Sequence, residues 1–205
     1  MSAGHYFAER PGAASAPRTV TLSLPDLTLV LAADRGVFAA DRIDPGTHLL
    51  LQEAPAPPRR GDLLDLGCGY GPIALTLARR SPGATVWAVD VNERALALCA
   101  ENAARHGLTN VRCVGPDDMP HDVAFATIWS NPPIRIGKPA LHELLRRWLG
   151  RLAPGADALL VVQKHLGADS LAAWLTTSGY AVHRLRSRQA YRLLDVTCAS
   201  STAPA

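Results

Sequence analysis

Lysine is almost missing from this chain. Of its 21 cationic residues only Lys138 and Lys164 are lysines and the other 19 are arginines, which favours planar, two-pronged contacts to carboxylate or phosphate. Cysteine is sparse too: Cys68, Cys99, Cys113 and Cys198 are scattered without a C-x-x-C pair, so no disulfide framework is expected and a reduced, cytoplasmic protein is. The stretch "MSAGHYFAERPG" has no apolar centre, which argues against a signal peptide, and runs such as "DALLVV" are far too short to cross a bilayer. No pair of histidines has ligand spacing. "HELLR" at 142–146 opens like a zinc-protease helix but has Arg146 where a second His would stand, and no G-x-S-x-G elbow occurs. Neither a metal site nor a serine nucleophile is expected.

What is present is the composition of a soluble globular protein, 48% hydrophobic and 19% charged over 205 residues, long enough for a substantial core. A net charge of +3 permits a polyanionic partner without demanding one. Residues 19–52 read as short strands, "TVTLSL", "LTLVLA", "GVFA" and "HLLLQ", broken by Pro25-Asp26, Asp34-Arg35-Gly36 and Asp44-Pro45-Gly46. "EAPAPPRRG" follows as a stiff, exposed connector. From Asp62 onward, strands near 62–66, 85–89, 110–114, 123–129 and 157–163 alternate with helices near 71–80, 93–106, 139–151 and 168–178. Apolar strands alternating with amphipathic helices predict an α/β fold, a Rossmann-like, doubly wound and mainly parallel sheet covered on both faces. "YAVHRLRSRQAYRLLDVTC" then offers two strands with no helix between them, a C-terminal antiparallel hairpin on the sheet edge. The expected division is a β-rich lead-in and connector at 1–60, the α/β domain at 61–198, and a disordered tail at 199–205.

"DLLDLGCGYGPIALTLARR" places Asp65, Gly67, Gly69 and Gly71 in the turn from the first core strand into a helix. Glycines let a ligand approach the backbone, and the helix start at Pro72 leaves free N–H groups facing it. Nineteen residues after Gly71, "TVWAVDVN" ends a strand on Asp90, whose carboxylate can accept from both hydroxyls of a ribose. A nicotinamide dinucleotide competes for this pattern, as does a turn that only serves helix packing. The spacing, however, is G-x-G-x-G, and Asp65 would set negative charge against a pyrophosphate. That charge suits an ammonium and a sulfonium, both of which S-adenosylmethionine carries together with a ribose.

A second feature lies in "SNPPIRIGK". Asn131 ends the strand "VAFATIW" with a neutral acceptor, and Pro132 and Pro133 add carbonyls without N–H groups. Such a turn fits an amino group flattened by conjugation, held by the Asn131 side chain and the Pro132 carbonyl with its lone pair aimed at a methyl carbon. No strong base is then needed before transfer. Placement of two reactants contributes roughly 7–11 kcal/mol, well beyond one hydrogen bond, so positioning is expected to dominate.

"DLGCGYG" followed by "VDVN" resembles the cofactor motifs of class I S-adenosylmethionine-dependent methyltransferases. With "NPPIRIGK", "HYF" at 5–7, "GVFAADRIDPGTHLLL", "VVQKHLGADS" and the final "YRLLDV", the chain resembles the small-domain methyltransferase family over nearly its whole length. The best-known members of that family methylate guanine N2 in 16S ribosomal RNA, and the chain is similar in particular to its single-domain branch. The resemblance implies a cofactor site of Asp65, Gly67, Cys68, Gly69, Asp90, Val91, Asn92 and Asn131, with Asp117 or Asp118 reaching the adenine amine. It implies Asn131 and Pro132 as catalytic residues and RNA as partner, with no membrane and no metal. Phe38, Pro133, Ile134, Arg135, Lys138 and Lys164 are the expected substrate contacts, the three cations holding backbone phosphates. Three departures stand out. The N-terminal duplicate of the larger enzymes is absent, Ile134 replaces an aromatic residue often found after N-P-P, and Phe125-Ala126 replaces Phe-Asp. A protein glutamine amide, a small-molecule amine, or a silent cofactor-binding scaffold remain as alternatives.

Overall fold

The structure is a computed structural model that describes residues 14–188 and 190–199. The "HYF" stretch, and all of the expected tail except Ala199, lie outside the described residues. The described chain opens with an antiparallel pair, β1 (Arg18–Ser23) and β2 (Thr28–Ala33), closed by a Leu24 N–H to Leu27 carbonyl bond of 2.9 Å. Val20, Leu22, Leu29, Leu31 and Ala33 alternate inward along it and join the main core.

Two of the four short strands expected in the lead-in are not strands. "HLLLQ" lies inside helix α1 (Pro45–Glu53), and "GVFA" is part of a turn-rich loop. Asp44 is the reason for the helix: its carboxylate accepts from Gly46 and Thr47 N–H, and Pro45 occupies a first-turn position where its missing N–H costs nothing. Because Leu49, Leu50 and Leu51 are all buried, the run shows no amphipathic spacing and resembles a buried strand in sequence.

The main sheet has seven strands in the order β5-β4-β3-β6-β7-β9-β8. Its members are β3 (Arg60–Leu66), β4 (Gly83–Val89), β5 (Val111–Val114), β6 (Phe125–Ser130), β7 (Leu152–Gln163), β8 (Tyr180–Arg188) and β9 (Tyr191–Cys198). β3 to β7 run parallel where they pair, and β8 and β9 form the expected antiparallel edge hairpin. Helices α2 (Pro72–Arg80) and α3 (Glu93–Arg105) join α1 on one face, whereas α4 (Lys138–Leu149) and α5 (Ala168–Thr177) cover the other. Successive strand residues divide between the two cores, with Trp129 facing α1 and α2 while Ile128 faces α4 and α5. Trp129 and Trp148 are buried, and Trp87 and Trp174 pack against the second core, as packing residues.

This strand order places the site. Beyond β3 the chain winds outward through β4 and β5, then crosses back to lay β6 on the other side of β3, which makes β3 and β6 the switch point where doubly wound sheets bind ligands. Leu66 and Ser130 are paired at the ends of those strands, and Ser130 Oγ donates to the Leu66 carbonyl at 2.7 Å. The glycine turn and Asn131 therefore begin side by side.

Candidate active site

The turn after β3 is docked on β4, with Gly67 and Cys68 N–H donating to the Val89 carbonyl at 2.8 and 3.0 Å. Gly67, Gly69 and Gly71 all have positive φ, at 77°, 55° and 97°. Only Gly71 is also required by packing, since a Cβ there would come within 2.7 Å of Cys99 Sγ and Leu75 Cδ1. A Cβ at Gly67 would meet nothing within 4 Å, so that side of the turn is open to a ligand.

Asp65 is fully buried beneath this turn. Its Oδ2 accepts from Ala74 N–H at 2.8 Å in the first turn of α2, while its Oδ1 is buried with no hydrogen-bond partner among the described residues. Burial pushes its pKa up to about 8, the Ala74 N–H works against that, and the Asp90 carboxylate adds to it. An unsatisfied buried oxygen with this poise is suited to an ammonium ligand. Asp90 accepts from Gly69 N–H through Oδ2 and from Asn92 N–H through Oδ1, both at 2.9 Å, and burial holds its pKa above the ordinary carboxylate value against these bonds. Cys68 is buried. The Cys99 thiol beside it acts to lower its pKa, but burial and then the Asp90 and Asp65 carboxylates push it up to about 12, so it supplies no thiolate at neutral pH. Val91 is 41% exposed, an apolar surface next to Asp90. Asn92, by contrast, faces the scaffold: its Oδ1 caps α3 through Arg94 and Ala95 N–H and its Nδ2 donates to the Gly36 carbonyl at 2.9 Å.

On the other side of the switch point, Asn131 Nδ2 donates to Asp44 Oδ2 at 2.8 Å and to Thr47 Oγ1 at 3.1 Å. A carboxylate only accepts, so the nitrogen must face Asp44, and the remaining Oδ1 is left as an acceptor. The carbonyls of the Pro-Pro turn are less open than the sequence suggests. Pro132 O accepts from Ile134 N–H at 2.8 Å and Pro133 O from Ile136 N–H at 3.1 Å, because a short 3₁₀ turn, Ile134–Ile136, begins at once. Each carbonyl keeps its second lone pair. Arg135, Lys138 and Lys164 are exposed, in or beside the segments that follow β6 and β7.

Asp117 and Asp118 separate clearly. The Asp117 carboxylate is 93% exposed and is paired with Arg147 at 3.1 Å, toward α4. Asp118 folds back on its own loop, where a Cβ at Gly115 would lie 2.8 Å from its Oδ2.

Asp44, Thr47 and Tyr191 escaped sequence reasoning. The N-cap pattern D-P-G-T could have revealed the first two. Among the described residues no group of three or more His, Cys, Asp or Glu side chains is placed to hold a metal, and no helix is long and apolar enough to cross a membrane.

A family model described as methyltransferase small domain matches residues 28–195. The chain belongs to the methyltransferase small domain family. It is 37% identical over 169 residues to the "Uncharacterized protein YbxB" of Bacillus subtilis (strain 168), which takes in 81% of this chain and 84% of that one. It is 32% identical over 166 residues to the "Ribosomal RNA small subunit methyltransferase C" of Shewanella loihica, covering 78% of this chain and 48% of that protein. The solved 16S rRNA N2 methyltransferase of T. thermophilus, in complex with AdoMet and guanosine, superposes with a TM-score of 0.74 at 24% identity over 92% of this chain and 52% of that one. This methyltransferase thus spans about half the length of the last two proteins, and its likeness to the T. thermophilus structure is one of fold.

Proposed function

We propose that this methyltransferase transfers the methyl group of S-adenosylmethionine to an exocyclic amine, the N2 amino group of guanine in ribosomal RNA. The observation that carries the reading is the fixed Asn131 carboxamide, whose N–H groups are directed to Asp44 and Thr47 so that Oδ1 is left as an acceptor, on a residue that follows Ser130, the partner of Leu66 at the head of the glycine turn. A flat amino group donates two N–H bonds, and Asn131 Oδ1 with the second lone pair of the Pro132 carbonyl provides two acceptors.

Asp65 takes the cofactor's ammonium, Asp90 its ribose hydroxyls, Val91 one face of its adenine, and Asp118, not Asp117, the adenine amine. Bound there, the cofactor supplies an electrophilic methyl group on sulfur. Asn131 and Pro132 orient the nitrogen lone pair along the line of attack. S-adenosylmethionine held there would supply the methyl group and leave as S-adenosylhomocysteine, and the proton of the methylated amine would pass to water. The chain needs no strong base for this, since the amine becomes acidic only as it is methylated. The names of the rRNA methyltransferase relatives support RNA as the acceptor.

The test is incubation with methyl-labelled cofactor and three acceptors in parallel: unmethylated small ribosomal subunits, naked 16S rRNA and a protein extract. Label recovered as N2-methylguanosine supports the proposal, and label confined to protein overturns it.

A further inference from the structure

A cavity of about 500 Å³ opens between the loop 35–45, Arg18 at the start of β1 and Tyr191 at the start of β9. That volume lies in the roughly 300–1,000 Å³ range of ligand sites. Asp44 forms part of its wall, and Asp44 is the residue that holds Asn131, so the cavity and the acceptor clamp share a side chain.

The loop holds Phe38 outward, 47% exposed, and three hydrogen bonds tie the loop to the scaffold. The Asn92 amide binds the Gly36 carbonyl at 2.9 Å, Arg94 Nη1 binds the Arg35 carbonyl at 2.7 Å, and Tyr70 Oη binds the Ala39 carbonyl at 3.3 Å. Ala39 has a φ of 56°, which costs a non-glycine residue about 1–2 kcal/mol. A strained, pinned loop that keeps an aromatic ring in water is not the arrangement folding alone would select. Strain of this kind clusters at ligand sites.

Tyr191 contributes a second ring. It lies against Gly46, where a Cβ would come within 2.7 Å of the ring, and burial and then the Asp44 carboxylate raise its phenol pKa while Arg42 opposes them. The phenol is therefore neutral, with Asp44 and Arg42 both near it. Of the arginines around the cavity, Arg18 is paired with Asp41 at 2.5 Å, which leaves Arg35 and Arg42 against the single Asp44 carboxylate and the lining with a surplus of one positive charge.

We infer that this cavity receives the acceptor as an unstacked nucleotide, its base lying on the Phe38 and Tyr191 rings and its phosphate on Arg35 and Arg42. The rings take the part that Ile134, a non-aromatic residue after N-P-P, cannot take. Two aromatic faces beside two arginines match a π-surface joined to an anion, which a nucleotide has and a glutamine side chain lacks. The inference rests on the RNA reading of the acceptor.

The experiment measures binding of a fluorescent, guanine-containing single-stranded oligoribonucleotide across a salt series, in the presence of S-adenosylhomocysteine. It uses wild type, Phe38→Ala, and the double variant Arg35→Gln with Arg42→Gln, each checked for wild-type thermal unfolding. Loss of the Phe38 ring is expected to weaken binding about fivefold to a hundredfold at every salt. The double variant, which releases one phosphate, is expected to lower the slope of log K against log salt by about 0.7. If wild type methylates RNA while both variants bind the oligoribonucleotide like wild type, the cavity is not the nucleotide site and the proposed function stands. If wild type labels protein alone, the RNA reading and this inference fall together.

Discussion

Asn131 and Asp44 lie 87 residues apart in sequence and 2.8 Å apart in space, joined by a bond from the Asn131 amide to a carboxylate that also caps α1. One carboxylate thus does two things. It starts a helix that packs on the sheet, and it fixes which atom of Asn131 is the acceptor. The lead-in is in this way part of the frame of the candidate site.

In the proposed function Asp44 is a positioning residue. Asp44→Ala removes both the cap, at about 0.5–2 kcal/mol of stability, and the hold on Asn131. Methyl transfer at saturating cofactor is expected to fall about tenfold to a hundredfold, with S-adenosylhomocysteine affinity retained. Asp44→Asn keeps a side-chain acceptor and should recover much of the rate. Equal rates for the two variants, measured in single turnovers, would show that the orientation of Asn131 does not depend on this acceptor.

The buried Asp65 makes a pH prediction. With its folded pKa at about 8 and an unfolded value near 3.9, the folded protein keeps a proton that the unfolded chain has lost. Stability of the cofactor-free protein therefore decreases as pH rises through that window. Asp65→Asn should flatten the dependence. Pairing with an ammonium converts Asp65 to its anion, so cofactor binding at pH 7 should release about one proton. Calorimetry in buffers of different ionisation enthalpy reads this directly, and a binding heat independent of buffer would contradict the pairing.

Gly71 tests the packing under the turn. Gly71→Ala meets a left-handed φ and a Cβ contact of 2.7 Å, so a loss of about 2–5 kcal/mol is expected. For a chain of this size that corresponds to a fall in Tm of roughly 5–20 °C. A melting curve within a degree or two of wild type would mean that α2 and α3 can separate at little cost.

Asp117 and Asp118 are adjacent in sequence and should differ in effect. Asp118→Ala is expected to weaken S-adenosylhomocysteine binding about tenfold, and Asp117→Ala, whose carboxylate is turned to Arg147, to leave it unchanged. The reverse order in titration calorimetry would move the adenine contact to Asp117.

The alternating half of the fold is legible in sequence because its strands are continuous apolar runs and its helices carry clear start signals, such as Gly71-Pro72 and Asn92. Asp65, Asp90 and Asn131 are legible for a related reason: each stands at a strand end, where a polar residue interrupts an apolar run. The Asp44 bond to Asn131 is not legible, since no periodicity links residues so far apart. Helix α1 is hidden by Leu49-Leu50-Leu51, which erase the amphipathic spacing. The division between Asp117 and Asp118 depends on Arg147 of a later helix, and the Tyr191 contact with Gly46 on the return of β9. Both are tertiary facts without a local signature.

The most direct measurement of the central claim is single-turnover methyl transfer by Asn131→Ala at saturating cofactor and RNA, with Asn131→Asp as a second variant that sets like charge against Asp44. If Asn131 Oδ1 holds the acceptor amine, both variants lose at least about a hundredfold in rate while the fold, read by thermal unfolding, is kept. A wild-type rate in either variant would contradict the account.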